Sequence, residues 1–558
     1  MKYRLIASVL SLAALFSSCS QSLLDIPQKG VVATENFYIT DEDATEALNN
    51  AYARFGEQLT RGGGAISHSP YIVLYNLPGD DIYSAGAMYG ATNSRQQVNE
   101  FRATTDNEIY TQMYKAFYTA IYHSNLVINN FEYGDSDIKD KAISEARVLR
   151  AFCHMMLALG WGQPPLVTEV LTGDAKPGNY PGTQAELLQW CADECEEVLP
   201  YLGERESPQD KNGAVKVTKG FALTIIGKAL LFAGDYEGAR AALKQVIDSG
   251  KYQLVPGNRI RESFHIEGDG NEEKIFECNL ALNSSLTPFS YASKSLWQHN
   301  MTWNWNLANM AGTPLEIFNT GWGGLGVRED FAADFVANDG DSYRRKAWIV
   351  SFDELIEELS YSNDAEVDDK WTDPNRGIKE PGLYANGYYM SFKRNASRED
   401  EYNNSFNMTN FLIFRYAEVL LMYAECQAVL GDTDGSGLKA LNDIQNRAGS
   451  KHVSTACTLD EVKNEKRFEM WLEGCRWLDM VRWGDLDGVM NSGKNIPTLH
   501  DAFFADGEPR HRAYITHGNP NEGIAETGFV KGKHELFPYP FSETSINPNI
   551  VQNPGWDK

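Results

Sequence analysis

Three glutamates and three arginines crowd into one stretch near the end of the chain, EKRFEMWLEGCRWLDMVRWGD. Read as one continuous helix, Glu465, Glu469 and Glu473 fall at i, i+4 and i+8 and stack on one face, which is repulsive unless cations intervene. Arg467, Arg476, Arg482 and Arg447 are the partners at hand, and guanidinium forks suit carboxylates. Trp471, Trp477 and Trp483 supply apolar walls around such pairs. A glycosidase needs two carboxylates facing an open groove across a sugar, whereas a run along one packed helix fits a structural ion-pair network. No residue of this block is therefore assigned to catalysis.

Binding chemistry is better placed in SYASKSLWQHNMTWNWN. Trp297, Trp303 and Trp305 stand amid Gln298, Asn300, Asn304 and Asn306, with Tyr291 just before, and few aliphatic residues are near to bury them. Indoles suit sugar rings because the C–H face of the ring stacks on the π face, while amides bond the hydroxyls. A third constellation, Asp432, Asp434, Ser436 and Gly437 with Asp443, fits part of a calcium loop, but Lys439 occupies a normally apolar place. Capping of the helix that follows explains the same letters, so no metal and no cofactor is assigned.

The start of the chain carries an address. Lys2 and Arg4 precede an apolar run from Leu5 to Phe16, too short to span a bilayer, and Ser17 and Ser18 lead into Cys19. This reads as a lipoprotein signal over 1–18 with Cys19 as the acylated first mature residue. Several acyl chains on one residue suffice for a stable membrane anchor. With 76 acidic against 50 basic residues and a net charge of −26, nucleic acid is excluded as a partner. The cysteines besides Cys19 are scattered, which does not suggest a disulfide framework. C-x-x-C, H-E-x-x-H, P-loop and G-x-S-x-G signatures are absent.

The elements that must carry these groups are helical. Ala44, Leu48, Ala51 and Phe55 recur at helical spacing after Thr40; a second helix is expected over Glu108–Phe131. Ala142, Ala146, Leu149, Cys153 and Met156 form a seam that ends at Gly160. Helices also fit Thr183–Leu202 and Val217–Ala233. In FALTIIGKALLFAGDYEGARAALKQVIDSG an alanine-rich helix, a Gly-Asp turn and a partner helix resemble a tetratricopeptide hairpin, and RYAEVLLMYAECQAVLGDTDGSGLKALNDIQNRAG repeats the plan. Four hairpins are expected, two from these units and two from the earlier helices. The mature chain, 19–558, is read as one domain: helical repeats over 40–277 and 410–484, a loop-rich ligand-binding insertion over 278–409 containing the short strand YYMSFKRN, and an irregular segment over 485–558.

Several blocks resemble one family nearly end to end: LLDIPQKG after the lipobox, LPGDDIY, EARVLRAFCHMMLALGWGQPPLV, RYAEVLLMYAEC, the Glu/Arg/Trp block, and ELFPYPFSETSINPNIVQNPGW. The chain resembles the SusD/RagB family of outer-membrane nutrient-uptake lipoproteins of Bacteroidetes type. Lys466 departs from the family's usual Arg, and the acidic cluster after the lipid cysteine is reduced to Asp25. The resemblance implies a mainly α fold, a bundle of tetratricopeptide-like hairpins with a loop-rich ligand face. It implies a non-enzymatic, lipid-anchored protein of the cell outer membrane that captures oligosaccharides for a SusC-like TonB-dependent transporter. It also implies a second wall of the site in LPGDDIYSAGAMYGATNSRQQ, where Tyr83 and Tyr89 would stack and Asp80, Asp81, Asn93 and Arg95 would bond hydroxyls. Some relatives present a tryptophan there; this chain has only tyrosines. Lys393 and Arg394 are further candidates for the rim. The alternatives are peptide capture of the RagB kind and a glycoside hydrolase on a helical scaffold.

Overall fold

A computed structural model of the chain describes residues 37–61, 70–84, 93–279, 325–351, 354, 389–394, 402–403, 406–407, 409–486, 489, 502–503, 509–511 and 528–557. Cys19, Tyr89, Tyr291, Trp297, Trp303 and Trp305 lie outside the described residues. The helices, in chain order, are α1 Asp41–Arg61, α2 Pro70–Asn76, α3 Asn93–Asn99, α4 Glu108–Ile128, α5 Asp137–Trp161, α6 Gln184–Val198, α7 Lys219–Ala233 and α8 Tyr236–Asp248. They continue with α9 Glu329–Asp339, α10 Tyr343–Trp348, α11 Tyr416–Leu430, α12 Ser436–Ala448, α13 Leu459–Glu469 and α14 Arg476–Trp483. The strands are short and pair two by two, all antiparallel: β1 Ile82–Ser84 with β3 Leu325–Val327, β2 Lys274–Cys278 with β8 Phe411–Arg415, β4 Ile349–Ser351 with β5 Tyr389–Ser391, β6 Tyr402–Asn403 with β7 Phe406–Asn407, and β9 Ala502–Phe503 with β10 Pro509–His511.

Helix packs on helix in the series α1, α4, α5, α6, α7, α8, α11, α12, which is a stack of four hairpins. The mainly α, tetratricopeptide-like reading holds. The first hairpin is less local than a standard repeat, because α2, β1 and α3 are inserted between its two helices. Local chemistry sets the ends. Thr183 and Glu186 close a reciprocal capping box on α6, and the expected extension to Leu202 becomes a 3-10 turn, Leu199–Tyr201, because Pro200 has no N–H to continue an α-helix. Gly234 ends α7 with φ 88°, a conformation open to glycine at little steric cost. At Gly227 a Cβ would come within 2.5 Å of the Leu243 side chain, so the α7–α8 approach requires glycine.

Helix α5 is buried around its whole circumference from Ala142 onward except at Arg147, beyond the single seam expected from its spacing. Phe152 on α5 meets Phe55, Phe221 and Phe414, while Phe221 stacks on Phe276 of β2 with centroids 4.3 Å apart. The end of the chain then clamps the end of α5. The Trp161 indole donates to the Pro538 carbonyl at 2.8 Å, and the Tyr539 hydroxyl donates to the Trp161 carbonyl at 3.0 Å. The Asn553 amide donates to the carbonyls of Trp161 and Phe537 at 3.1 and 2.7 Å. A segment with no periodicity is thus fixed by side chains that answer backbone groups left open where the helix stops. No described helix is long and apolar enough to cross a membrane.

Candidate functional site

The carboxylate stack does not lie on one helix. Helix α13 stops at Glu469, Leu472 takes φ 57° and Gly474 φ 81°, and Glu473 arrives on the turn between α13 and α14. All three carboxylates point into the protein. Glu469 accepts from Arg344 at 2.9 Å and Arg415 at 2.6 Å, and it also pairs with Arg447. Glu473 accepts from Lys393 at 2.6 Å and from Arg415 at 2.7 Å; Glu465 pairs with Arg344, which also forks onto Asp339 at 2.7 and 2.9 Å. Glu273 joins the network through Arg415 at 2.7 Å and Arg447 at 2.9 Å.

Of the cations expected to neutralise the stack, only Arg447 does so. Arg467 reaches Asp334, Arg476 reaches Asp80, and Arg482 reaches Glu425 and Asp479. Arg344, Arg415 and Lys393 come from sequence-distant elements, and the apolar walls differ too. Trp348 and Phe264 cover Lys393 and Arg415, whereas Trp471 stacks on Phe331 and Trp477 packs near Phe101. Burial raises the cost of the Glu469 charge, but the Arg447, Arg415 and Arg344 guanidiniums outweigh it and hold the carboxyl well below the usual range. Burial likewise opposes the Glu473 charge, and Arg415 and Lys393 overcome it. Lys393 and Arg394, expected on a rim, are buried in this junction. The ensemble ties the insertion (α9, α10 and the turn after β5) to the hairpin bundle, and it offers no free acid or base.

A second junction supports the wall block. Asp80 accepts two bonds from Arg476, at 2.7 and 2.8 Å, with Arg467 3.8 Å away. The adjacent Asp81 is fully buried, and among the described residues neither carboxylate oxygen has a hydrogen-bond partner. Burial and the neighbouring Asp80 charge push its carboxyl up to about 7, against the pull of Arg476 and Arg467. Asp81 also accepts, through its carbonyl, the Arg328 amide at 3.2 Å. Arg95, on α3, is turned inward with Nε and Nη1 unpartnered, and burial lowers its guanidinium to about 10. Tyr83 lies in β1 opposite Gly326, and Asn93 opens α3. Asp81 and Arg95 are thus buried, and Asp80 is engaged by Arg476.

Next to Asp81, two distant parts of the chain meet. In the β1–β3 ladder Ser84 faces Leu325 and Ile82 faces Val327. The chain's exit from β1 into 85–92 thus stands beside its return from 280–324, one strand spacing of about 5 Å away. These are the two stretches that hold Tyr89 and the tryptophan cluster. Spacing alone gave no signal of this pairing, nor of Arg328, Arg344 and Glu273; the only local hint was the alternation in Ile82–Ser84.

The calcium-like letters have a capping role. Asp432 accepts the amides of Gly437 and Leu438 at 2.7 and 2.9 Å, and Asp434 accepts the Ser436 amide at 3.0 Å, all at the start of α12. Among the described residues no group of His, Cys, Asp and Glu is arranged to hold a metal ion.

Known proteins share this organisation. A model of the SusD family matches residues 291–556, and one described as starch-binding associating with outer membrane matches residues 63–188. A SusD-like protein of Bacteroides ovatus is 23% identical over 607 residues, covering 99% of this chain and 98% of its own. SusD-like protein P2 of Formosa agariphila is 24% identical over 583 residues, covering 100% of both. Among solved structures, surface glycan-binding protein A from Bacteroides thetaiotaomicron in complex with laminarihexaose superposes with TM-score 0.71 at 21% identity, over 92% of this chain and 100% of that one. A laminarin binding SusD-like protein gives TM-score 0.68 at 20% identity, over 92% and 99%. With four stacked hairpins and these matches along most of its length, the chain is similar to proteins of the SusD family.

Proposed function

We propose that the protein is a non-catalytic, cell-surface glycan-binding lipoprotein that captures oligosaccharides and passes them to a SusC-like TonB-dependent transporter. The observation that carries this reading is the β1–β3 register, which joins the roots of the two stretches bearing the tyrosines and the clustered tryptophans. Aromatic residues on two stretches whose described ends meet in one ladder suit a sugar chain held by stacking and by amide contacts to its hydroxyls. Similarity to structures described as glycan-binding, one of them complexed with laminarihexaose, supports the ligand class. Trp297, Trp303, Trp305, Tyr291, Tyr83 and Tyr89 are the stacking candidates, and Cys19 is the lipid attachment point. In the Glu/Arg block Glu465, Glu469 and Glu473 are each engaged by a cation, which supports binding over hydrolysis.

Titration of the purified protein with a panel of oligosaccharides including laminarihexaose tests the reading. Binding on the order of micromolar or weaker, with no reducing ends released, is expected for a protein that must let its cargo go. Turnover of a bound glycan, or binding of peptides and of no glycan, would contradict it.

A further inference from the structure

Helix α4 carries a second aromatic stripe that the site above does not use. Tyr114, Tyr118 and Tyr122 recur at i, i+4 and i+8 and line a surface groove of about 270 Å³, completed by Lys115, Thr119 and Glu543. The tyrosines are graded in depth. Tyr114 is buried, with its ring 4.8 Å from that of Tyr118; Tyr118 is half-buried and its hydroxyl donates to the Pro165 carbonyl at 2.7 Å; Tyr122 is 46% exposed. The ladder is therefore anchored at its base and presents an exposed ring at its mouth, with the His123 ring edge-on to it at 5.2 Å. Lys115 is exposed, and Glu543, on the short turn Phe541–Thr544, lies close enough for the Lys115 charge to favour its ionised form against burial. Neither the Lys115 ammonium nor the Glu543 carboxylate is hydrogen-bonded to another side chain among the described residues, so the groove is lined by an available donor and an available acceptor.

We infer that this groove is a second carbohydrate-binding platform, taking a sugar ring on Tyr122 with its hydroxyls bonded by Lys115 and Glu543. Tyrosine rings sharing a groove with an available donor and acceptor suit polyhydroxylated rings: a C–H face stacks and the hydroxyls both give and accept hydrogen bonds. A purely apolar occupant would leave the two charged groups without partners on desolvation. The groove belongs to α4 and the C-terminal segment, whereas the site proposed above rises from β1 and β3. A long glycan reaching both platforms gains affinity by effective concentration, and a short one does not. This inference rests on the glycan-binding reading.

The test uses the whole protein with laminarin as the long probe and laminarihexaose as the short one, comparing wild type, Tyr122→Ala and, as a control, Tyr201→Ala, whose ring is equally exposed elsewhere. Tyr122→Ala is expected to weaken laminarin binding about tenfold, leave laminarihexaose binding within about twofold, and melt as the wild type does. Tyr201→Ala is expected to change neither. Equal binding of laminarin by wild type and Tyr122→Ala would overturn the second platform while leaving the glycan-binding reading intact. So would a loss confined to co-purification with a membrane transporter, which would make the groove a protein contact. A wild type that binds neither probe removes the platform together with the reading beneath it.

Discussion

Asp81 is the residue where the fold runs against its own chemistry. Its carboxyl is fully buried with both oxygens unpartnered among the described residues, one residue from an aspartate that holds Arg476 in a fork. The folded state lifts its carboxyl to about 7, against about 3.9 for a free aspartate. A group whose folded value is raised contributes stability that is complete below the free value and is lost as pH rises through the folded one. Thermal stability attributable to Asp81 is therefore expected to decline between about pH 4 and pH 7 and to level off above. In Asp81→Asn that decline should vanish, so the difference in melting temperature between the two proteins should grow across the window. Parallel melting profiles from pH 4 to 8 would mean that Asp81 is solvated or paired. The Asp80–Asp81 doublet was legible as a polar feature of the wall, but its direction was not: which oxygen meets which guanidinium depends on Arg476, almost four hundred residues away.

At the scale of elements, the hairpins were legible because a 3.6-residue period and glycine stops are local signals. Ala222, Ile226, Ala229, Gly234 and the α8 face appear in the fold as their spacing required. Helix α13 was not legible beyond Met470. The letters from Glu465 to Glu473 continue a helical pattern, yet Leu472 adopts a positive φ so that Glu473 meets Lys393 and Arg415. Those cations come from the turn after β5 and the end of β8, and no local pattern foretells them. The network is nonetheless testable as a joint. Arg415 serves Glu273, Glu469 and Glu473 at once, with all four groups buried. Arg415→Met should cost about 3–5 kcal/mol in denaturant unfolding, because it leaves buried carboxylates without their shared cation. A loss below about 1 kcal/mol would show that the joint does not hold the insertion to the bundle.

The whole molecule is proposed to work at a membrane surface beside a partner, and both halves of that statement come down to one fractionation. If Cys19 carries the proposed lipid, attachment should depend on that residue. Cys19→Ala is expected to move from the membrane to the soluble fraction. The native protein, released in mild detergent, should bring a barrel transporter with it. An interface that survives detergent buries well over about 1,000 Å². A Cys19→Ala protein that stays with carbonate-washed membranes would refute the anchor, and a native protein that always emerges alone would refute the lid. The helical hairpins were readable from their period, while the ligand face was readable only as composition: aromatic and amide residues without a period.

Glycan capture by the tryptophan cluster is the central claim, and its most direct test is calorimetric titration of Trp297→Ala/Trp303→Ala/Trp305→Ala alongside its thermal unfolding. A stacking platform contributes roughly 1–3 kcal/mol, so losing the cluster should abolish measurable binding of the glycan that the wild type binds, with a melting temperature near that of the wild type. Were the indoles core residues, each truncation would cost about 3–5 kcal/mol of stability. A triple variant that binds as the wild type does, or one that melts far lower, would contradict the account.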